Sequence, residues 1–167
     1  MAELTALESK IGEVLGLAMA AQGATEQVGK LVEKEGEHDD LKQALGQMHE
    51  EAKEAEKRTT SLAEDLDGKK TAILEKARET KQEATEMMST YLGDDADALD
   101  GFEFLTMAEA GEVGHWLVVS KLNQKANNPQ VGTLADWAIA IEQRHFQNVL
   151  DAAVQLAGDE DPDEPES

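Results

Sequence analysis

Glu112 and His115 stand three residues apart within Ala108-Glu-Ala-Gly-Glu-Val-Gly-His-Trp-Leu-Val-Val119, and Glu142-Gln-Arg-His145 repeats the spacing. On a helix, two side chains three apart project from one face, about one turn from each other. Leu105, Ala108, Val119 and Leu122 continue the stripe around the first pair, and Leu134, Ala138, Ile141, Val149 and Ala152 do so around the second. Both pairs are therefore expected on the apolar inner faces of consecutive helices. Carboxylates and imidazoles together suit iron, manganese or zinc. In a core they are costly unless paired or metal-bound. Two readings follow: a metal site inside a helical bundle, or a buried ion-pair network that fixes bundle register without metal.

Helical periodicity supplies the elements that would position these groups. The first helix is predicted over residues 3–33, with Leu4, Leu7, Ile11, Val14, Ala18, Ala21, Thr25, Val28 and Val32 inward. Gln22, Thr25 and Glu26 form a polar patch in its second half. Gly12, Gly16, Gly23 and Gly29 weaken it by up to about 1 kcal/mol each, or let a neighbour approach closely. The second helix is predicted from about Asp39 to Asp65, with Leu41, Leu45, Met48, Ala52, Ala55, Thr59 and Leu62 inward and His49 and Glu51 flanking. A third, about 69–92, carries a thin face of Ile73, Ala77, Thr80, Ala84, Met87 and Tyr91, which suits a peripheral or crossover helix. The fourth, about 101–124, follows an acidic loop ending at Asp100 as its expected N-cap. The fifth, about 131–157, follows Asn127-Asn128-Pro129, with Thr133 or Asp136 as expected cap. No sheet is predicted.

The short connection makes the last two helices antiparallel neighbours. A turn centred near Pro129 places His115 opposite Glu142 and Glu112 opposite His145, so the two pairs meet at one level. Glu26 and Glu51, with Glu54 one turn beyond, are the candidates to complete the set. Glu35/His38 repeats the spacing in a connection without an apolar stripe, and reads as solvated surface. His49 reads as a flanking residue or an extra ligand.

Ala24-Thr-Glu-Gln27, Asp40-Leu-Lys-Gln-Ala-Leu45, Met48-His-Glu-Glu51, Glu112 with His115, and Glu142 occur in an order that resembles the YciF-type ferritin-like stress proteins, over roughly residues 24–157. The resemblance implies an all-α fold, a ferritin-like antiparallel four-helix bundle with one additional helix, forming a homodimer. It also implies a dimetal site, with iron, as in a di-iron pair, as the expected metal and manganese or zinc as alternatives. The candidate ligands are Glu26, Glu51, Glu112, His115, Glu142 and His145, and the implied activity is a ferroxidase-type oxidation linked to stress protection. The ferritin-like pattern places Glu-x-x-His on two helices and a lone Glu on the other two. This chain has Glu51-x-x-Glu54 on its second helix and Glu-x-x-His on its fourth, which suggests a mononuclear or asymmetric site.

With 15 basic and 36 acidic residues, the net charge is −21. That excess argues against nucleic acid, whose phosphates need Lys and Arg clusters, and against anionic membrane surfaces. It suits a high-salt cytoplasm, where screening relieves self-repulsion, or simply an acidic bacterial protein. There is no cysteine, hence no disulfide or thiolate ligand. The N-terminus lacks the pattern of a signal peptide, no stretch approaches a membrane span, and a cytoplasmic address is expected. Residues 1–157 form the expected domain and 158–167 an acidic disordered tail.

Overall fold

Inner positions that recur every three or four residues are the reason this chain is helical throughout. The computed structural model describes residues 2–36 and 38–163 and contains α1 (Ala6–Glu35), α2 (Asp39–Asp65), α3 (Lys70–Tyr91), α4 (Ala98–Ala126) and α5 (Pro129–Ala157). No strand occurs among the described residues. Residues 164–167 of the expected tail lie outside them, and 158–163 are exposed turns and bends. No described helix is long and apolar enough to cross a membrane.

The helix starts are set by local chemistry that differs in part from expectation. At α1, Thr5 and Glu8 form a capping box, with Glu8 N–H donating to Thr5 Oγ1 at 3.2 Å and Thr5 N–H to Glu8 Oε2 at 2.7 Å. At α4 the cap is Asp97, three residues earlier than expected, and Asp100 is its reciprocal partner. Glu35 from the end of α1 adds an acceptor, 2.6 Å from Ala98 N–H. At α5 neither Thr133 nor Asp136 caps: Asn128 accepts from Gln130 N–H at 3.0 Å and Val131 N–H at 3.3 Å, with Pro129 inside the first turn.

Contacts between helices follow a regular order. Glu35 meets Ala98, Val28 meets Gly101, and Glu13 meets His115, so α4 runs back along α1. Thr25 meets His49 and Gln22 meets Glu56 between α1 and α2. Glu51 meets His145, Arg58 stacks on Trp137, and Asp65 meets Gln130 between α2 and α5. The third helix packs chiefly on α1. A side-chain carbon at Gly12 would lie 2.8 Å from Lys76 Cβ, and one at Gly16 would lie 2.7 Å from Thr80 Cβ, so these glycines let α3 in close. Gly23 and Gly29 face open space. The second half of α3 leaves the core: Met87 is 69% exposed and Tyr91 43%.

The core divides into two apolar clusters. One gathers Val28, Val32, Leu41, Met48, Phe102 and Val149. The other gathers Ile11, Leu15, Ile73, Trp116, Val119 and Val131. Each fully buried side chain of this kind contributes about 1.5–3 kcal/mol. Together they can sustain the polar layer that lies between them.

Candidate metal centre

Buried positions on α4 run Phe102, Leu105, Glu109, Glu112, Trp116 and Val119, in alternating steps of three and four. On α5 they run Val131, Ala135, Ala138, Glu142, His145, Val149 and Ala152. Four ionisable side chains thus occupy core positions: Glu109 is 2% exposed, Glu112 5%, Glu142 4% and His145 3%. Ligand atoms of Glu109, Glu142 and His145 all lie within 4.8 Å of one another, a group that could hold a metal ion.

His145 organises the layer. Its Nδ1 faces Glu142 Oε2 at 3.4 Å and Glu109 Oε2 at 3.5 Å. Its Nε2 donates to Glu51 Oε2 on α2, 2.6 Å away. Glu51 also accepts from the Arg144 guanidinium and from Gln47 Nε2. Metal-binding histidines commonly coordinate through one ring nitrogen while the other donates to a carboxylate. Glu51 takes that orienting place here, outside the group it was expected to join as a ligand.

Removal from water dominates the electrostatics. Burial pushes the Glu109 carboxyl up to about 8, the repulsion of Glu142 adds to this, and the neighbouring His145 holds it back. Glu112 is raised well above its ordinary value by burial, then by repulsion from Glu142 and Glu109. For His145 burial acts downward, but the nearby carboxylates of Glu109 and Glu142 outweigh it and carry the imidazole up to about 10. Burial acts upward on Glu51 too, yet donors Gln47, His145 and Arg144 leave it below its ordinary value. Glu109 Oε2 has no hydrogen-bond partner. A buried oxygen without a donor is expensive, and a cation beside it removes that cost.

Of the six expected ligands, the fold brings Glu112, Glu142 and His145 into the layer and sets Glu51 behind His145. His115 faces elsewhere: its Nδ1 donates to Gly111 O at 2.8 Å, and its Nε2 lies 3.4 Å from Glu13 Oε2, which Lys10 also engages. Its side chain is 38% exposed. Glu26 is exposed, 3.8 Å from His49 Nε2. The inner position on α1 is Thr25, whose hydroxyl contacts His49 Nδ1 at 3.1 Å. His49 is thus occupied by α1 and stands apart from the layer.

Register explains the exchange of Glu109 for His115. Asn127 takes a left-handed backbone, φ 54°, and Asn123 and Asn128 bond reciprocally at 2.9 and 3.1 Å. The turn therefore centres on Asn127–Asn128, earlier than a turn centred near Pro129. In an antiparallel pair the register moves twice as far as the turn. Glu112 accordingly meets the level of Glu142, and Glu109 that of His145. The missed signal was the stripe through Phe102 and Trp116, the bulkiest apolar residues of this stretch, on which Glu109 falls.

Comparison with known proteins finds no matching family model, curated protein or solved structure. The chemical reading therefore rests on this layer alone.

Proposed function

We propose that the protein is a ferritin-like metal-binding bundle, with iron or manganese held by Glu109, Glu112, Glu142 and His145 Nδ1. The contact order of α1, α2, α4 and α5 supports an antiparallel four-helix arrangement, with α3 as the additional helix. The observation that carries the metal reading is the unpartnered Glu109 Oε2 beside His145 Nδ1, whose opposite nitrogen is already fixed by Glu51. Three carboxylates and one imidazole suit iron or manganese, since oxygen donors dominate and thiolates are absent. Iron there would supply redox chemistry towards oxygen or peroxide, which connects the site to Fe(II) oxidation and stress protection. This chain's own residues would exclude water, hold His145 in one orientation and release protons as the ion enters. The layer draws on α2, α4 and α5, and α1 adds no carboxylate to it, which favours an asymmetric or single-ion site over a regular di-iron pair.

Metal analysis after exposure to Fe(II), Mn(II) and Zn(II) tests this. Wild type and His115→Ala should retain close to one equivalent or more, and His145→Ala should retain none. Wild type that holds no metal would remove the proposal.

A second reading has its own support. With Glu109 and Glu112 carrying protons and His145 charged between carboxylates, the layer balances much of its charge without a metal. In that case the Glu/His network specifies bundle register, and His145→Ala alters stability while metal content is nil throughout. The resemblance to the YciF-type proteins further proposes a cytoplasmic homodimer, checked by a sedimentation mass of twice the chain. A single-chain mass would remove that part. The net charge of −21 proposes a high-salt setting. It predicts stability that rises with added salt, and indifference to salt would count against it.

A further inference from the structure

A pocket of about 260 Å³ lies between α1, α3 and α4 and reaches the polar layer from the side opposite α5. Leu17, Ala21 and Ala24 from α1, Ala84 and Met88 from α3, and Phe104 from α4 form much of its wall. Small residues on α1 leave this space where a longer side chain would fill it. At its inner end stand Glu109 and Glu112, and His115 lies at the rim. The pocket is thus almost entirely hydrocarbon, with carboxyl groups at one end.

We infer that this pocket binds a small aliphatic primary amine, its chain against the α1–α3–α4 wall and its ammonium group at Glu109. At roughly 30 Å³ per non-hydrogen atom, the volume of a liquid water, the pocket holds roughly eight or nine such atoms. Glu109 is 2% exposed and its Oε2 lacks a donor. His145 is divided among three carboxylates: Glu51 holds its Nε2, and its Nδ1 faces Glu142 at 3.4 Å and Glu109 at 3.5 Å. An ammonium at the inner end meets the carboxyl groups of Glu109 and Glu112, and a buried cation is tolerated only where opposite charge receives it. A carboxylate head would instead meet Glu109 and Glu112. The hydrocarbon chain gains from leaving water along the alanine and methionine wall. This inference does not depend on the metal reading. A metal ion at Glu109 would compete with the amine.

Methionine methyl spectra of the full, metal-free chain provide the test, because Met87, Met88 and Met107 line the pocket while Met19 and Met48 do not. Hexylamine should shift the first three saturably and leave the other two unmoved. Hexanol and hexanoate should bind at least about tenfold more weakly, a difference of 1.4 kcal/mol. Glu109→Gln should weaken hexylamine by a similar factor. Ala84→Leu, which narrows the wall away from the carboxyls, should abolish binding. Absence of saturable shifts, equal binding of hexanoate or hexanol, or undiminished affinity in either variant would overturn the inference.

Discussion

Glu112–His115 and Glu142–His145 have the same residues at the same spacing on adjacent helices, yet only the second pair enters the core whole. Both members of the α5 pair lie on its buried stripe, where one carboxylate and one imidazole share a dry layer. The α4 pair straddles the edge of its stripe: Glu112 is buried, while His115 turns to Glu13 and the solvent. The difference lies in stripe phase. On α4 the apolar residues that decide it are Phe102, Leu105, Trp116 and Val119, and they carry Glu109 inward in place of His115. A spacing of three identifies residues that share a face, but it leaves open which face.

The largest separation between the pairs should come from removing each imidazole. His145→Ala strips the partner from buried Glu109 and Glu142 and should cost about 3 kcal/mol, the scale for breaking a buried ion pair. His115→Ala removes a half-exposed contact and should cost less than about 1 kcal/mol. Chemical denaturation of both variants checks this, and equal losses would erase the distinction.

The pH dependence of the metal-free protein comes next. Glu109 goes from 4.5 unfolded to about 8 folded, so its contribution is full below 4.5 and declines as pH rises to about 8. His145 goes from 6.5 to about 10, so its contribution is full below 6.5 and declines up to about 10. Glu112, raised in the same sense, adds to the decline. Glu51 has the opposite sign and loses stability as acid protonates it below its ordinary range. Stability should therefore peak in mild acid and fall steadily towards alkaline pH. Metal affinity should rise over the same interval as protons leave the ligands. In His115→Ala the profile should keep this shape, and in His145→Ala the alkaline part of the fall should flatten. A stability maximum near pH 9 would contradict the arrangement.

A smaller effect is expected from Glu51→Gln. Glu51 orients His145 without entering the cluster, so metal affinity should fall by about 10- to 100-fold and stoichiometry should stay constant. Quenching of Trp116 fluorescence reads the titration, since Trp116 is buried one turn from Glu112. Loss of a whole metal equivalent would make Glu51 a ligand instead.

Much of the fold was legible because burial imposes period. Every residue of the inner face read for α2, Leu41 through Leu62, is buried, with Ala63 in addition, and the limits of α2 agree as well. The starts of α4 and α5 were read late because Asp97 and Asn128 cap them, and several Asp, Asn and Thr residues nearby offer the same chemistry. The site was legible on α5 and only half so on α4. Glu109 was missed because its visibility depends on register, which the Asn123–Asn128 bonds set locally. Glu26 was misplaced by one position, and on a helix one position is a rotation of about 100°. Thr25 is the inward residue there.

The two close-approach glycines on α1 divide this chain's thirteen glycines by their freedom to drift. Gly12 and Gly16 are spacers whose size is matched to Lys76, Ala77 and Thr80, while Gly23, Gly29, Gly111 and Gly114 face nothing. In a lineage that keeps this architecture, the second group can become alanine and gain helix propensity at no steric cost. A change at Gly16 instead requires a compensating change on α3. Since α3 also walls the pocket beside Glu109, the spacing between these two helices would be inherited together with the width of that pocket.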